Sequence, residues 1–200
     1  MRLLSALAMA CAVLLVGCGE SYDSLSDEAY PLTNYDSTSV TFPAAYEGEV
    51  VLVGYVYTQC PDICSVITAN MRNVYDALDG DTEGVQFVTI TFDPARDTPA
   101  QLAAYAETFS LQERQWDLLT GAPDTIHALM QRMGVRRALA GEDAASFDGT
   151  FPEDEDYIID HTDRMTLIDS EGRIRDYYMG SRMPAEMVVE DINHLRRERS

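Results

Sequence analysis

Residues 49–65 read EVVLVGYVYTQCPDICS, and this stretch decides the fold. Its first nine residues are β-branched, aromatic or otherwise apolar, apart from Glu49 and Gly54, which predicts a buried strand. Its last six place Cys60 and Cys64 four residues apart around Pro61. Downstream, Ile63, Val66, Ile67, Met71, Val74 and Leu78 recur at helical spacing, and Gly80 closes the run. Pro suits the first position of a helix, where its missing N–H costs nothing. Cys60 is therefore expected as N-cap and Cys64 one turn in, with both sulfurs on one face.

Outward from there the pattern repeats. Residues 85–92 (VQFVTITF) predict a second buried strand, and Thr98-Pro99 opens a helix to about Phe109. Residues 116–119 predict a short strand and 123–133 a helix. Residues 139–156, rich in Gly, Ala and acid, predict an exposed loop. Strand-like segments follow at 157–159 and 164–169, then a turn at Ser170-Glu171-Gly172 and a returning hairpin strand. Residues 184–197 close the chain as an amphipathic helix. Alternating strands and helices predict an α/β protein with a mainly parallel sheet, flanked by helices and extended by a hairpin. A cysteine pair after the first core strand, opening the first helix, is the thioredoxin-like arrangement.

The chain has 200 residues, enough for one core. It carries 34 acidic and 14 basic residues, a net charge of -20, which excludes nucleic acid as a natural partner. All the basic residues are Arg; there is no Lys. Residues 1–18 (MRLLSALAMACAVLLVGC) combine Arg2 with an uncharged apolar run, too short for a stable span and suited to an export signal. The ending Leu15-Val16-Gly17-Cys18 resembles the bacterial lipobox, which implies cleavage after residue 17 and lipidation of Cys18. The expected organisation is a signal peptide over 1–17, a lipidated Cys and flexible tether over 18–38, and a globular domain over 39–200. The chain would then be exported and held at a membrane by its lipid, facing the periplasm or the cell exterior, and is expected to be monomeric.

Of four cysteines, Cys11 leaves with the signal and Cys18 is the lipid site, so the domain keeps Cys60 and Cys64. Outside the cytoplasm such a pair forms a reversible disulfide, or its two thiolates bind a soft metal, Cu(I) above all. A purely structural disulfide closing so short a loop would restrain little of the unfolded chain. A trigonal copper site needs a third ligand. His127 and His194 fall in expected helices, and His161 in a loop before a core strand; spacing alone leaves the choice open.

The segment Tyr57-Thr58-Gln59-Cys60-Pro61-Asp62-Ile63-Cys64 resembles the signature of the SCO/SenC family of copper-binding, thioredoxin-like proteins. The blocks Asp93-Pro94-Ala95-Arg96-Asp97-Thr98-Pro99, Trp116-Asp117-Leu118-Leu119-Thr120-Gly121, and Tyr157-Ile158-Ile159-Asp160-His161-Thr162 follow in the family's order. The resemblance covers about residues 39–197. It implies copper, as Cu(I) or Cu(II), held by Cys60, Cys64 and His161. It also implies a role in building the dinuclear copper centre of cytochrome c oxidase, with that oxidase subunit or its copper donors as partner. Two departures stand out: Ser65 where members often have Pro, and Thr91-Phe92 before Asp93 where Ser-Val is more usual.

The rival reading is an extracytoplasmic thiol–disulfide oxidoreductase using Cys60 and Cys64 for electrons alone; a peroxidase of related fold is disfavoured by the paired Cys. His161 discriminates, since a dithiol enzyme needs no third soft-metal ligand. Asp93 and Asp97 are expected to brace the loop they share with Arg96, or to act beside the sulfurs as supporting groups or a docking surface; hard carboxylate oxygen suits Cu(I) poorly. The acidic run at 153–156 is expected to be a solvated loop.

Overall fold

The computed structural model describes residues 22–152 and 156–198. The elements run β1 (Asp23–Ser24), β2 (Tyr30–Asn34), β3 (Ser39–Phe42), a single 3-10 turn (Ala44–Tyr46), β4 (Val50–Val56), α1 (Ile63–Ala77), β5 (Val85–Thr91), α2 (Pro99–Thr108), β6 (Trp116–Gly121), α3 (Pro123–Arg132), β7 (Arg137–Leu139), β8 (Ile159–His161), β9 (Met165–Ile168), β10 (Arg173–Tyr178) and α4 (Ala185–Glu198). The main sheet has eight strands in the order β1-β10-β9-β4-β5-β6-β2-β3. Its centre is parallel: β4 pairs with β5 from Val50↔Val85 to Val56↔Thr91, and β5 with β6. Antiparallel strands extend it on both sides, β9 and β10 as the expected hairpin and β2 and β3 beyond β6. Every residue of β4 and β5 is buried, which explains why β4 reads as a near-continuous apolar run and why β5, with Gln86, Thr89 and Thr91 among its apolar residues, shows no in–out alternation.

Three sequence expectations change. The first concerns the tether. Residues 30–34 are not a solvated linker but a strand of the main sheet, and Asp23–Ser24 pair with β10. Leu25 and Leu32 are buried, and Arg132 holds Asp23 at 2.8 Å and Glu28 at 2.5 Å. A few apolar residues spaced among Ser, Asp and Glu carry no periodic signal, and the Arg that neutralises the acids lies about a hundred positions away. The signal peptide, Cys18 and its lipid lie outside the described residues.

The second concerns residues 157–159. The strand there is Ile159–His161, and it joins a separate two-stranded ribbon with β7, pairing Arg137 with His161. A strand was not expected at residues 137–139, three residues inside an Arg-Arg-Ala-Leu run. Of the acidic run, residues 153–155 lie outside the described residues.

The third concerns the start of α1. The helix begins at Ile63 with Asp62 as N-cap, so Cys60 precedes the cap instead of forming it. A turn comes first, closed by the Cys60 N–H donating to the Tyr57 carbonyl at 3.2 Å, and a turn and a helix cannot both claim the same backbone. By contrast α2 starts as its sequence indicates, with Pro99 at the first turn and the Thr98 hydroxyl accepting from Gln101 N–H at 3.3 Å.

Helix α1 lies across β4 at Gly54, where a Cβ would meet Met71 Sδ at 2.3 Å. The glycine is what lets helix and strand approach so closely. Gly54→Val is expected to destabilise the fold by about 1–3 kcal/mol, the range for overpacking a core. Urea unfolding measures this, and adding Met71→Ala should recover part of the loss; an unchanged midpoint in the single variant would refute the close packing.

Candidate metal centre

Strands β4 and β5 are parallel and in register, so the loops that follow Val56 and Thr91 emerge side by side. In such sheets the crevice beyond the carboxyl ends of the strands is the usual place for a site. The β4 loop carries Cys60 and leads to Cys64, the second residue of α1. The β8 strand brings His161 to the same place. Cys60 Sγ, Cys64 Sγ and a ring nitrogen of His161 lie within 4.8 Å of one another, the one such group of metal-capable side chains among the described residues. His127 and His194 take no part: His194 is exposed and pairs with Glu198 at 3.1 Å, and His127 sits on α3.

The imidazole is oriented from several sides. Its Nδ1 lies 3.1 Å from the Thr162 carbonyl, which can only accept, so Nδ1 carries the proton. That leaves the Nε2 lone pair facing the sulfurs, 3.5 Å from Cys64 Sγ. The Phe92 ring packs 4.6 Å from the imidazole, and the Tyr57 ring meets it edge-on at 6.1 Å. The Tyr57 hydroxyl also accepts the Ile159 N–H at 3.3 Å, fastening the His strand to the end of β4.

The two sulfurs are unlike. Both are free thiols, Cys60 half-buried and Cys64 buried. The Cys64 thiol donates to Cys60, and this bond, joined by the amides of Cys64 and Asp62, brings the Cys60 pKa down to about 4. The reciprocal effect and burial push Cys64 far up. Amides at the start of α1 thus do favour a Cys60 thiolate, as a helix N-terminus should, but the neighbouring thiol contributes more.

Asp93 and Asp97 are fully buried, so neither is a docking surface, and neither belongs to the ligand group. Asp97 accepts from the Thr58 N–H at 3.0 Å, from the Thr58 hydroxyl at 2.5 Å and from the Thr91 hydroxyl. It therefore ties the Cys loop to the end of β5. Burial raises its pKa, and the hydrogen bonds from Thr58 and Thr91 oppose that rise. Asp93 pairs with Arg96 at 2.6 Å and accepts the Tyr157 hydroxyl at 2.7 Å. Arg96 also donates to Gln59 Oε1 at 3.3 Å and to the Tyr157 carbonyl at 2.9 Å, and stacks 3.5 Å over the Tyr157 ring. Tyr157 and Gln59 were not singled out from the sequence. Tyr157 lies 64 positions from Asp93, so no local spacing could join them.

The SCO1/SenC family model matches residues 19–197. The chain belongs to the SCO1/SenC family. The SCO1 protein homolog of Bacillus subtilis is 27% identical over 187 residues, covering 90% of each chain. The mitochondrial SCO1 homolog of Homo sapiens is 30% identical over 153 residues, 76% of this chain and 47% of its own length; the chain thus spans about half of that longer protein. Among solved structures, Bradyrhizobium japonicum ScoI with copper bound matches with a TM-score of 0.69 and 26% identity, covering 84% of this chain and 97% of ScoI. The SCO1/SenC assignment agrees with the thioredoxin-like fold and with the order of the four sequence blocks.

The difference between the sulfurs is measurable. Limiting iodoacetamide at neutral pH should alkylate Cys60 of the reduced protein first, as read by peptide mass spectrometry. Preferential modification of Cys64 would contradict this geometry.

Proposed function

We propose that the protein is a copper chaperone that holds the ion on Cys60, Cys64 and His161 and hands it to the dinuclear copper centre of cytochrome c oxidase. The convergence of two sulfurs and an imidazole nitrogen within 4.8 Å carries this reading. Two thiolates and one imidazole suit Cu(I), and the same set holds Cu(II) with an added oxygen or nitrogen ligand. Membership of the SCO1/SenC family and the likeness to copper-bound ScoI support it. Copper here is cargo. Cys60 presents a thiolate, Cys64 gives up its proton as the ion binds, and the Thr162 carbonyl keeps Nε2 of His161 unprotonated and aimed. Asp97 and Arg96 hold the loops in place.

The reduced protein is expected to bind one Cu(I). Cys60→Ala or Cys64→Ala should abolish tight binding, and His161→Ala should weaken it by about 10–100-fold in a chelator competition, while His194→Ala binds as wild type. A His161→Ala strain should lose oxidase copper-centre assembly when copper is scarce and regain part of it on copper addition. The purified variant should still reduce a model disulfide, because exchange needs the thiols alone. Normal assembly in that strain at low copper would replace the carrier by a thiol–disulfide oxidoreductase.

The proposed anchor is a lipid on Cys18 after removal of residues 1–17, placing the domain outside the cytoplasm at a membrane surface. Among the described residues no helix is long and apolar enough to cross a membrane. Several acyl chains give stable attachment where one is marginal. Cys18→Ser should shift the protein from the membrane to the soluble fraction or stall its processing. A wild-type mature chain found soluble, with a free thiol at residue 18, would remove the anchor.

A further inference from the structure

A cavity of about 380 Å³ lies between α3, β7 and the loop that carries Ala144 and Phe147. Arg137 lines it and is 3% exposed. Its Nε and Nη2 have no hydrogen-bond partner, and neither has the buried Nδ1 of His127, which lines the same cavity. Asp93 is the acid whose charge acts on Arg137, but Arg96 and Tyr157 already occupy both of its oxygens. The Phe147 and Phe151 rings lie 5.5 and 5.8 Å from the guanidinium, and the charge of Arg137 acts on His127. Arg136 adds a second positive charge, and among the described residues no acidic side chain lines the cavity, the acids nearby being Asp124 and Asp148, which act on His127. Burial pulls the Arg137 pKa down to about 10, the sign of a charge without adequate compensation. Leaving a buried guanidinium unpaired is strongly unfavourable, and a planar two-oxygen anion is its natural complement.

We infer that this cavity binds a small organic carboxylate, with Arg137 and Arg136 drawing its anionic head and Met130, Val135 and Phe147 covering its apolar body. The volume is that of a small-molecule site. The mixed lining favours a carboxylate on a hydrocarbon body over phosphate, which would need donors on several sides. The site is separate from the cysteines and does not depend on the copper reading. It touches the metal centre through the backbone, because Arg137 is the ladder partner of His161.

Benzoate, titrated into the 15N-labelled full-length protein in detergent and followed by NMR, tests this. Saturable shifts are expected at the amides of Val135, Arg137 and Phe147, with a smaller one at His161. Arg137→Gln should weaken binding at least about tenfold, the loss of a charge-assisted contact. Ala144→Phe, which fills the cavity and leaves the charges, should weaken it as much; should Arg137→Gln fail to fold, this variant decides alone. Absence of saturation at these amides, benzoate binding unchanged in Ala144→Phe, or phosphate binding more tightly than benzoate would each overturn the assignment.

Discussion

The metal centre depends on one buried carboxylate. Asp97 receives the amide and hydroxyl of Thr58 and the hydroxyl of Thr91, and so locks the cysteine loop to the end of the neighbouring strand. A carboxylate taken out of water is tolerable when its lone pairs are filled, and costly when they are not. Each partner therefore enforces the others: Thr58 cannot move without leaving Asp97 unsatisfied. Two residues beyond Thr58 stands Cys60, whose position follows from that constraint.

Arg96 does for the histidine side what Asp97 does for the cysteine side. It reaches Asp93 in its own loop, Gln59 beside Cys60, and Tyr157 ahead of the His strand. Tyr57 adds a second tie through Ile159. The site is thus assembled from three segments distant in sequence, and polar groups outside the candidate ligand set fix the distances between Cys60, Cys64 and His161.

The central strands and helices were legible because burial on both faces leaves a plain signature, as in VVLVGYV and VQFVTIT. The two cysteines were legible because their spacing is local. His161 was not: spacing left three histidines open, and the choice came from resemblance to known proteins. Tyr157 and its bond to Asp93 were illegible for the same reason, since the contact exists solely in the folded chain. The strands β2 and β7 escaped notice because segments of five and three residues with few apolar positions carry no periodic signal, even where, as for β2, both edges are paired. The start of α1 was misplaced by two residues because Pro61 satisfies the rules for a helix start and for a turn equally well.

His161 stands on the two-stranded ribbon, outside the sheet that carries the cysteines, and 97 positions along the chain from Cys64. An ion shared by these residues is a reversible cross-link closing a very long loop. Loading then does what a removable staple does: it restricts the separation of ribbon and sheet, and it draws part of its affinity from the folded state. Unloading loosens the same seam. In the proposed function the cargo is also, for as long as it stays, a component of the architecture that carries it.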